Sequence, residues 1–361
     1  MDQARALEAL GHKVIVAAID FRFRRDRSQR GVIYSEFGGI HAYSYCLFPL
    51  RLFCFAALKV KVRSWMTKYL FRVICRKEGA PDVIYAHYMF SMAGLDVVHR
   101  KHPEIPVVGI EHWSHLSNDS LAKLDLMYAK IGYNLIDRLL AVSPSLQARI
   151  KNHFGKDSEV VYDMVDQYFL DAPLMKRPSG NEPFRFVSCG SLVPIKAFDV
   201  LIKAFAKMES PDAELTIIGD GPEKGALIRL SEELGVSKRV RFTGRLPHER
   251  IAEVLSKANV YALASRSETF GVSYVEALAM GLPVIATRCG GPDSFMNDTC
   301  GLMVDVDDVT GLTKAMDRMA KRVDDYSPET IREYVRSRFS GEVIAKQLEK
   351  IFIEEIEKKK S

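Results

Sequence analysis

The chain has 361 residues, 47% of them hydrophobic and 27% charged, with 51 lysines and arginines against 46 aspartates and glutamates and a formal charge of +5. That balance reads as a soluble globular protein with room for two domains. The six cysteines are scattered and lack any C-x-x-C spacing, which favours a reducing compartment and excludes structural zinc.

The opening "MDQARALEAL" shows no secretory signal, and Gly11 stands where a helix C-cap belongs. A strand pattern, "HKVIVAAI" (12–19), comes next, followed by a basic cluster, "FRFRRDRSQR" (21–30). No aromatic-interleaved motif accompanies that cluster, so nucleic acid is not an expected partner. The longest apolar run, "CLFPLRLFCFAAL" (46–58), is interrupted by Arg51 and falls short of the roughly 20 residues that span a bilayer. From 38 to 77 there is no acidic residue, while Arg51, Lys59, Lys61, Arg63, Lys68, Arg72, Arg76 and Lys77 alternate with Leu, Phe and Trp65. Segment 43–77 fits either a lipid-facing amphipathic element or a core helix with snorkelling lysines. The expected location is cytoplasmic, or peripheral at the inner face of the plasma membrane.

Buried parallel strands are predicted at "PDVIYAHY" (81–88), "IPVVGIEH" (105–112) and "DRLLAVS" (137–143). A linker rich in Pro, Gly and polar residues, "DAPLMKRPSGNEP" (171–183), separates them from a second series at 184–192, 213–221, 239–246, 258–265 and 282–291. Strands alternating with helices in two such series predict an α/β chain of two doubly wound domains. The expected division is a first domain at 1–170, a second at 171–340, and a charged helix at 341–361.

Ligands of open parallel sheets sit beyond the carboxyl ends of the strands. In the second series those positions hold Ser191 and Lys196, residues 219–222, Gly244 and Arg245, and residues 268–272. Gly271 permits close backbone approach, and the helix starting near Val272 offers N–H groups to an anion, so a phosphate is the natural guest. Glu268 before that helix and Glu276 inside it can accept hydrogen bonds from sugar hydroxyls. Glu276 would otherwise be a solvated helix position, and Lys196 a surface charge.

These residues carry a resemblance. "ETFGVSYVEALAMGLPVIAT" with the following "CGGPDSF" resembles the E-x7-E signature of retaining, family 4-type glycosyltransferases of the GT-B fold. "GSLVPIKAFDVLIKAF", "IIGDGPE", "RFTGRL", "DVIYAHY" and "GIEHWSHL" are similar to further segments of that family. The resemblance implies two Rossmann-like domains facing a cleft, with the C-terminal helix crossing back to the first. It implies that Glu268 holds hydroxyls of the donor sugar, Glu276 holds the ribose, and Phe270, Gly271 and Val272 present N–H groups to sugar and diphosphate. Lys196 would pair with the diphosphate, Arg245 would lie near the base, and Ser191 and Gly219 would border the nucleotide. His112 would face the transferred sugar, with a capping or merely buried histidine as the rival reading.

The implied activity is transfer of a hexosyl group from a nucleoside diphosphate sugar, with retention and without metal or other cofactor, to a saccharide or lipid-linked saccharide of a bacterial surface polysaccharide. Two other readings stay open: a catalytically weak or inactive GT-B partner subunit, and a GT-B sugar-nucleotide epimerase. "DVDD" (305–308) has a metal-binding D-x-D spacing but reads as a helix start, and "AVSPSL" lacks the G-x-S-x-G elbow of a hydrolase. Three departures from the family stand out: Ser191 replaces an arginine, "YDMVD" (162–166) replaces P-N-G-V-D, and the usual first strand and glycine-rich loop do not precede the first helix. On that basis the chain is expected to be a shortened, less stable and less active form. Its first half would either pair its second strand with its fourth or stay loose.

Overall fold

The computed structural model describes residues 2–20, 31–46, 56–117, 121–174 and 182–361. The basic cluster 21–30, Arg51, Cys54 and most of the apolar run 46–58 lie outside the described residues, as does 175–181 of the linker. The chain divides into two units, 1–162 with 344–361 and 163–343. The first boundary thus lies ahead of the one that composition placed at 170/171, and the second falls at 343/344 instead of 340/341. Residues 163–171 join the second unit because Asp166 caps the helix Gln167–Asp171, which buries Phe169 and Leu170, and the Val165 N–H donates to the Phe339 carbonyl at 2.9 Å. The Pro- and Gly-rich signal therefore lies one helix past the crossing.

In the first unit, β1 (Ile15–Asp20), β2 (Gly31–Phe37) and β3 (Ile40–Cys46) form a sheet of order β1-β3-β2, with β1 parallel and β2 antiparallel to β3. The β2–β3 hairpin turns on Gly38 and Gly39, at φ 61° and 90°, the left-handed pair that a two-residue hairpin loop requires. A second, wholly parallel sheet runs β4 (Ile84–His87), β5 (Val107–Glu111), β6 (Arg138–Ala141) and β7 (Glu159–Val160). Among the described residues β1 and β4 each end their sheet. The expected closure of one on the other does not occur.

The helix Ala56–Glu78 packs against both blocks. Its Met66 and Leu70 join Tyr43 and Tyr45 of β3 in one cluster, with Ile15 and Ile19 of β1 against it. The described parts of segment 43–77 are therefore strand up to Cys46 and helix from Ala56, the helix with a buried and an exposed side. Arg63, read among the outward cations, is turned in: its guanidinium lies 5.8 Å from the Tyr128 ring centre, and burial lowers its pKa. The C-terminal helix Gly341–Lys360 belongs to this unit from Ile344 onward. Arg138 of β6 pairs with its Glu354 and Glu355, Lys359 reaches Asp137 at 2.6 Å, and Phe352 packs on Tyr85.

The second unit holds β8 (Arg185–Cys189), β9 (Glu214–Ile218), β10 (Val240–Gly244), β11 (Val260–Ala262), β12 (Val284–Thr287) and β13 (Gly301–Val304). All are parallel, in the order β10-β9-β8-β11-β12-β13. This is the doubly wound order, in which the sequence-distant β8 and β11 lie side by side at the switch point. Their apolar runs are buried on both faces, as helices on either side of a parallel sheet demand.

Candidate functional site

The loops leaving β8 and β11 meet at that switch point. Lys196 ends the short turn Pro194–Lys196 after β8, and its Nζ lies 2.6 Å from Oε1 of Glu268 in the loop after β11. The Ser265 hydroxyl donates to the same oxygen at 2.7 Å, so Oε2 has no protein partner among the described residues. Glu268 is held by its backbone, donating to the Cys289 carbonyl at 3.1 Å and accepting from the Gly291 N–H at 3.0 Å. Arg266 fixes the two loops to each other: it bonds the Pro194 carbonyl, Asp199 and Asp307, while its N–H meets the Ile195 carbonyl at 2.8 Å. Asp307 of the "DVDD" tract is thus engaged, and Asp308 caps the helix Val309–Arg322. Among the described residues no cluster of three or more His, Cys, Asp or Glu is placed to hold a metal ion.

Gly271, at φ 98°, opens the helix Val272–Ala279 with no side-chain cap, which leaves its first N–H groups for an anion. Val272 is exposed beside it, whereas the Phe270 side chain is buried against Phe295 and Phe339, so Phe270 can serve a ligand only through its backbone. Ser191, Gly219 and Arg245 line one pocket of about 230 Å³ together with Gly190, Asp220 and Leu246. Gly219 is obligatory there, because a Cβ would stand 1.9 Å from the Gly190 carbonyl oxygen. The charge of Asp220 is stabilised by Lys224 and the Gly221 N–H, which hold its pKa low.

Glu276 follows one turn inside the helix, and its neighbour across the sheet end is Cys189, whose thiol is pushed up to about 12 by burial and by the Glu276 charge. Burial pushes the Glu276 carboxyl up to about 7, with His248 lowering it and Asp166 raising it. Only the ionised form can accept from both hydroxyls of a diol. Nucleoside diphosphate affinity should therefore rise between pH 6 and pH 8, by up to roughly tenfold, and Glu276→Gln should remove that part of the pH dependence. Calorimetry across this range checks it; identical pH profiles for the two proteins would take the ribose away from Glu276.

The residues that the resemblance assigns to the acceptor side, with His112, lie in the first unit. β4 ends at His87 and β5 is followed by His112, and the two rings stack 5.2 Å apart with 3° between planes, Nδ1 of His87 lying 3.1 Å from Nε2 of His112. Between His87 and Met89, Tyr88 takes a left-handed φ of 64°, a conformation that costs a non-glycine residue about 1–3 kcal/mol. The fully buried Glu111 holds it there. Its carboxylate accepts from the Met89 N–H at 2.9 Å, the His112 and Trp113 N–H groups at 3.0 Å each, and the Tyr133 hydroxyl at 2.8 Å. Burial raises its pKa against those bonds. Sequence reasoning passed over Glu111, although a lone carboxylate in the run "VVGIEH" was the available signal.

Comparison with known proteins gives a family match for each half of the chain. Residues 1–167 match the family model Glycosyltransferase Family 4, and residues 174–338 match Glycosyl transferases group 1. The chain is 27% identical over 362 residues to N-acetyl-alpha-D-glucosaminyl L-malate synthase of Bacillus anthracis, covering 96% of this chain and 91% of that protein. It is 36% identical over 174 residues to the lipopolysaccharide core biosynthesis glycosyltransferase LpsE of Rhizobium meliloti, covering 48% and 47%. The crystal structure of Anabaena Alr3699/HepE in complex with UDP shares the fold, with a TM-score of 0.74 and 16% identity over 94% of this chain and 100% of that one. Its two halves matched in turn, and its second sheet wound around a switch point that brings Lys196 to Glu268, the chain belongs to the family 4 glycosyltransferases of the GT-B fold.

Proposed function

We propose that this transferase moves a hexosyl group from a nucleoside diphosphate sugar to a lipid-linked saccharide of a bacterial surface polysaccharide, with retention, at the cytoplasmic face of the membrane. The observation that carries the donor assignment is the Lys196–Glu268 pair beside an uncapped helix N-terminus. It offers one cation and free N–H groups to a diphosphate and one open carboxylate oxygen to sugar hydroxyls. In the reaction the bond from the anomeric carbon to the diphosphate breaks, and the acceptor oxygen bonds to the same face of that carbon. The acceptor proton passes to the leaving diphosphate oxygen. Lys196 and the N–H groups at Gly271 and Val272 stabilise the departing charge, and Glu268 and His112 serve the transferred sugar, so catalysis is positioning and charge stabilisation. The names of two relatives, one a malate-modifying synthase and one a lipopolysaccharide core enzyme, support sugar transfer and mark two acceptor classes to compare.

A panel of radiolabelled sugar nucleotides, incubated with and without a chelator, tests the reading. One donor should be slowly hydrolysed at a rate that chelation leaves unchanged, and faster consumption should follow addition of a lipid-linked saccharide but not of malate. A strict manganese requirement would overturn the site map. No binding of any donor would make the chain an inactive partner subunit.

A further inference from the structure

The helix Ala56–Glu78 turns its Met66 and Leu70 into the core and leaves another face in water. Leu58, Lys61, Trp65, Tyr69, Arg72 and Arg76 are all exposed. Their spacings of three and four place them on one line along the helix, about 27 Å long at 1.5 Å per residue. Trp65 is 52% and Tyr69 46% exposed, and their rings stack 6.2 Å apart at 20°. Large aromatic rings left in water in this way call for a partner. On the line Lys61 precedes the two rings and Arg72 and Arg76 follow them, and no acidic residue occurs from 38 to 77. Beside it, Lys101 and Arg72 hold the Lys68 ammonium below its ordinary pKa, a like-charge crowding that an anion would relieve. Toward the helix's C-terminal end Arg72 and Arg76 border a groove of about 790 Å³ that Lys360, Asp82 and Glu104 also line.

We propose that this face docks the first unit on an anionic lipid surface, with Trp65 and Tyr69 at the level of the headgroups and Lys61, Lys68, Arg72 and Arg76 against the lipid phosphates. Interfacial Trp and Tyr rings combined with cations are what a headgroup layer selects, since each ring has an apolar body and a polar edge. An acidic protein partner would satisfy the cations and gain less from two adjacent, exposed aromatic rings. The inference rests on the lipid-linked acceptor proposed above and deepens it by naming the surface through which the membrane is met.

Sedimentation with vesicles of phosphatidylcholine alone, and of phosphatidylcholine with phosphatidylglycerol, tests it on the full chain. Binding should require phosphatidylglycerol and fade as salt rises. Reversing Lys61, Lys68 and Arg72 to Glu should lower the partition coefficient by a hundredfold or more, since each neutralised cation alone is worth about a factor of five. Of the two tryptophans, Trp65 and Trp113, only the first should shift its fluorescence to the blue on anionic vesicles, and Trp65→Phe should abolish that shift. Nucleoside diphosphate affinity, measured without vesicles, should be unchanged in all these variants. Vesicle binding that is absent, salt-insensitive or indifferent to the charge reversals overturns the proposal, as does capture of an acidic protein by this face with no lipid binding. Either failure leaves the donor chemistry standing, because donor hydrolysis is read in solution.

Discussion

Glu268→Ala should lower turnover by about 10²–10⁴ while leaving the affinity for free nucleoside diphosphate unchanged or somewhat tighter. If Glu268 holds the transferred sugar as proposed, two charge-assisted hydrogen bonds are lost, each worth about 1.5–3 kcal/mol, at a factor of ten per 1.4 kcal/mol. The free nucleotide carries no such sugar and does not feel that loss. Lys196, which now shares Glu268 Oε1 with Ser265, would be released toward the diphosphate. Kinetics with the full donor and calorimetry with the nucleotide separate the two quantities. A parallel drop in both would remove Glu268 from the sugar and make the Lys196 contact its main duty.

The second large effect belongs to Glu111. Glu111→Ala strips the acceptor from the buried Met89 N–H, the half-buried His112 and Trp113 N–H groups and the buried Tyr133 hydroxyl. At about 1–3 kcal/mol for each donor left unsatisfied, the cost is roughly 4 kcal/mol or more, against a total stability of about 5–15 kcal/mol. Urea denaturation should show this as a large fall in the midpoint. Glu111→Gln adds a sign test. Burial raises the Glu111 pKa in the folded protein, so the folded state binds the proton more tightly than the unfolded one. Its contribution to stability is full below the ordinary carboxylate range and is lost as pH rises through the raised value. The amide has no such proton, so the Gln variant should lack that decline between acid and neutral pH. Parallel stability curves for the two proteins would mean that the Glu111 pKa does not differ between the folded and unfolded states.

The second unit was the more legible half, because its first five strands read as short, largely apolar runs between helical stretches and the residues that follow them form the candidate site. Lys196 and Glu268 were both found, but each was assigned to a ligand, and nothing in a separation of 72 residues says that they touch. That contact comes from the switch point, which is a property of strand order. Phe270 was placed correctly in the loop, while its ring went to the core with Phe295 and Phe339, since "TFGV" shows only where the backbone must pass. In the first unit the β2–β3 hairpin was missed although "GG" at 38–39 is its turn, because the charge pattern of 38–77 drew the whole stretch into one element. Glu111 was missed for a related reason: three of its four partners lie on other chain segments or in the loop it organises, and only the fold brings them to it.

The division of the first unit into two hydrogen-bonded blocks gives the helix Ala56–Glu78 a second duty. No ladder runs from β1 to β4, so cooperativity between the blocks passes through side chains packed on that helix. Anything that binds only its folded form adds RT ln(1 + [L]/Kd) to the stability of both blocks at once. A surface that holds its outer face would therefore act as a folding ligand, and the same chain would be a tighter, more cooperative body when bound there than when free in solution.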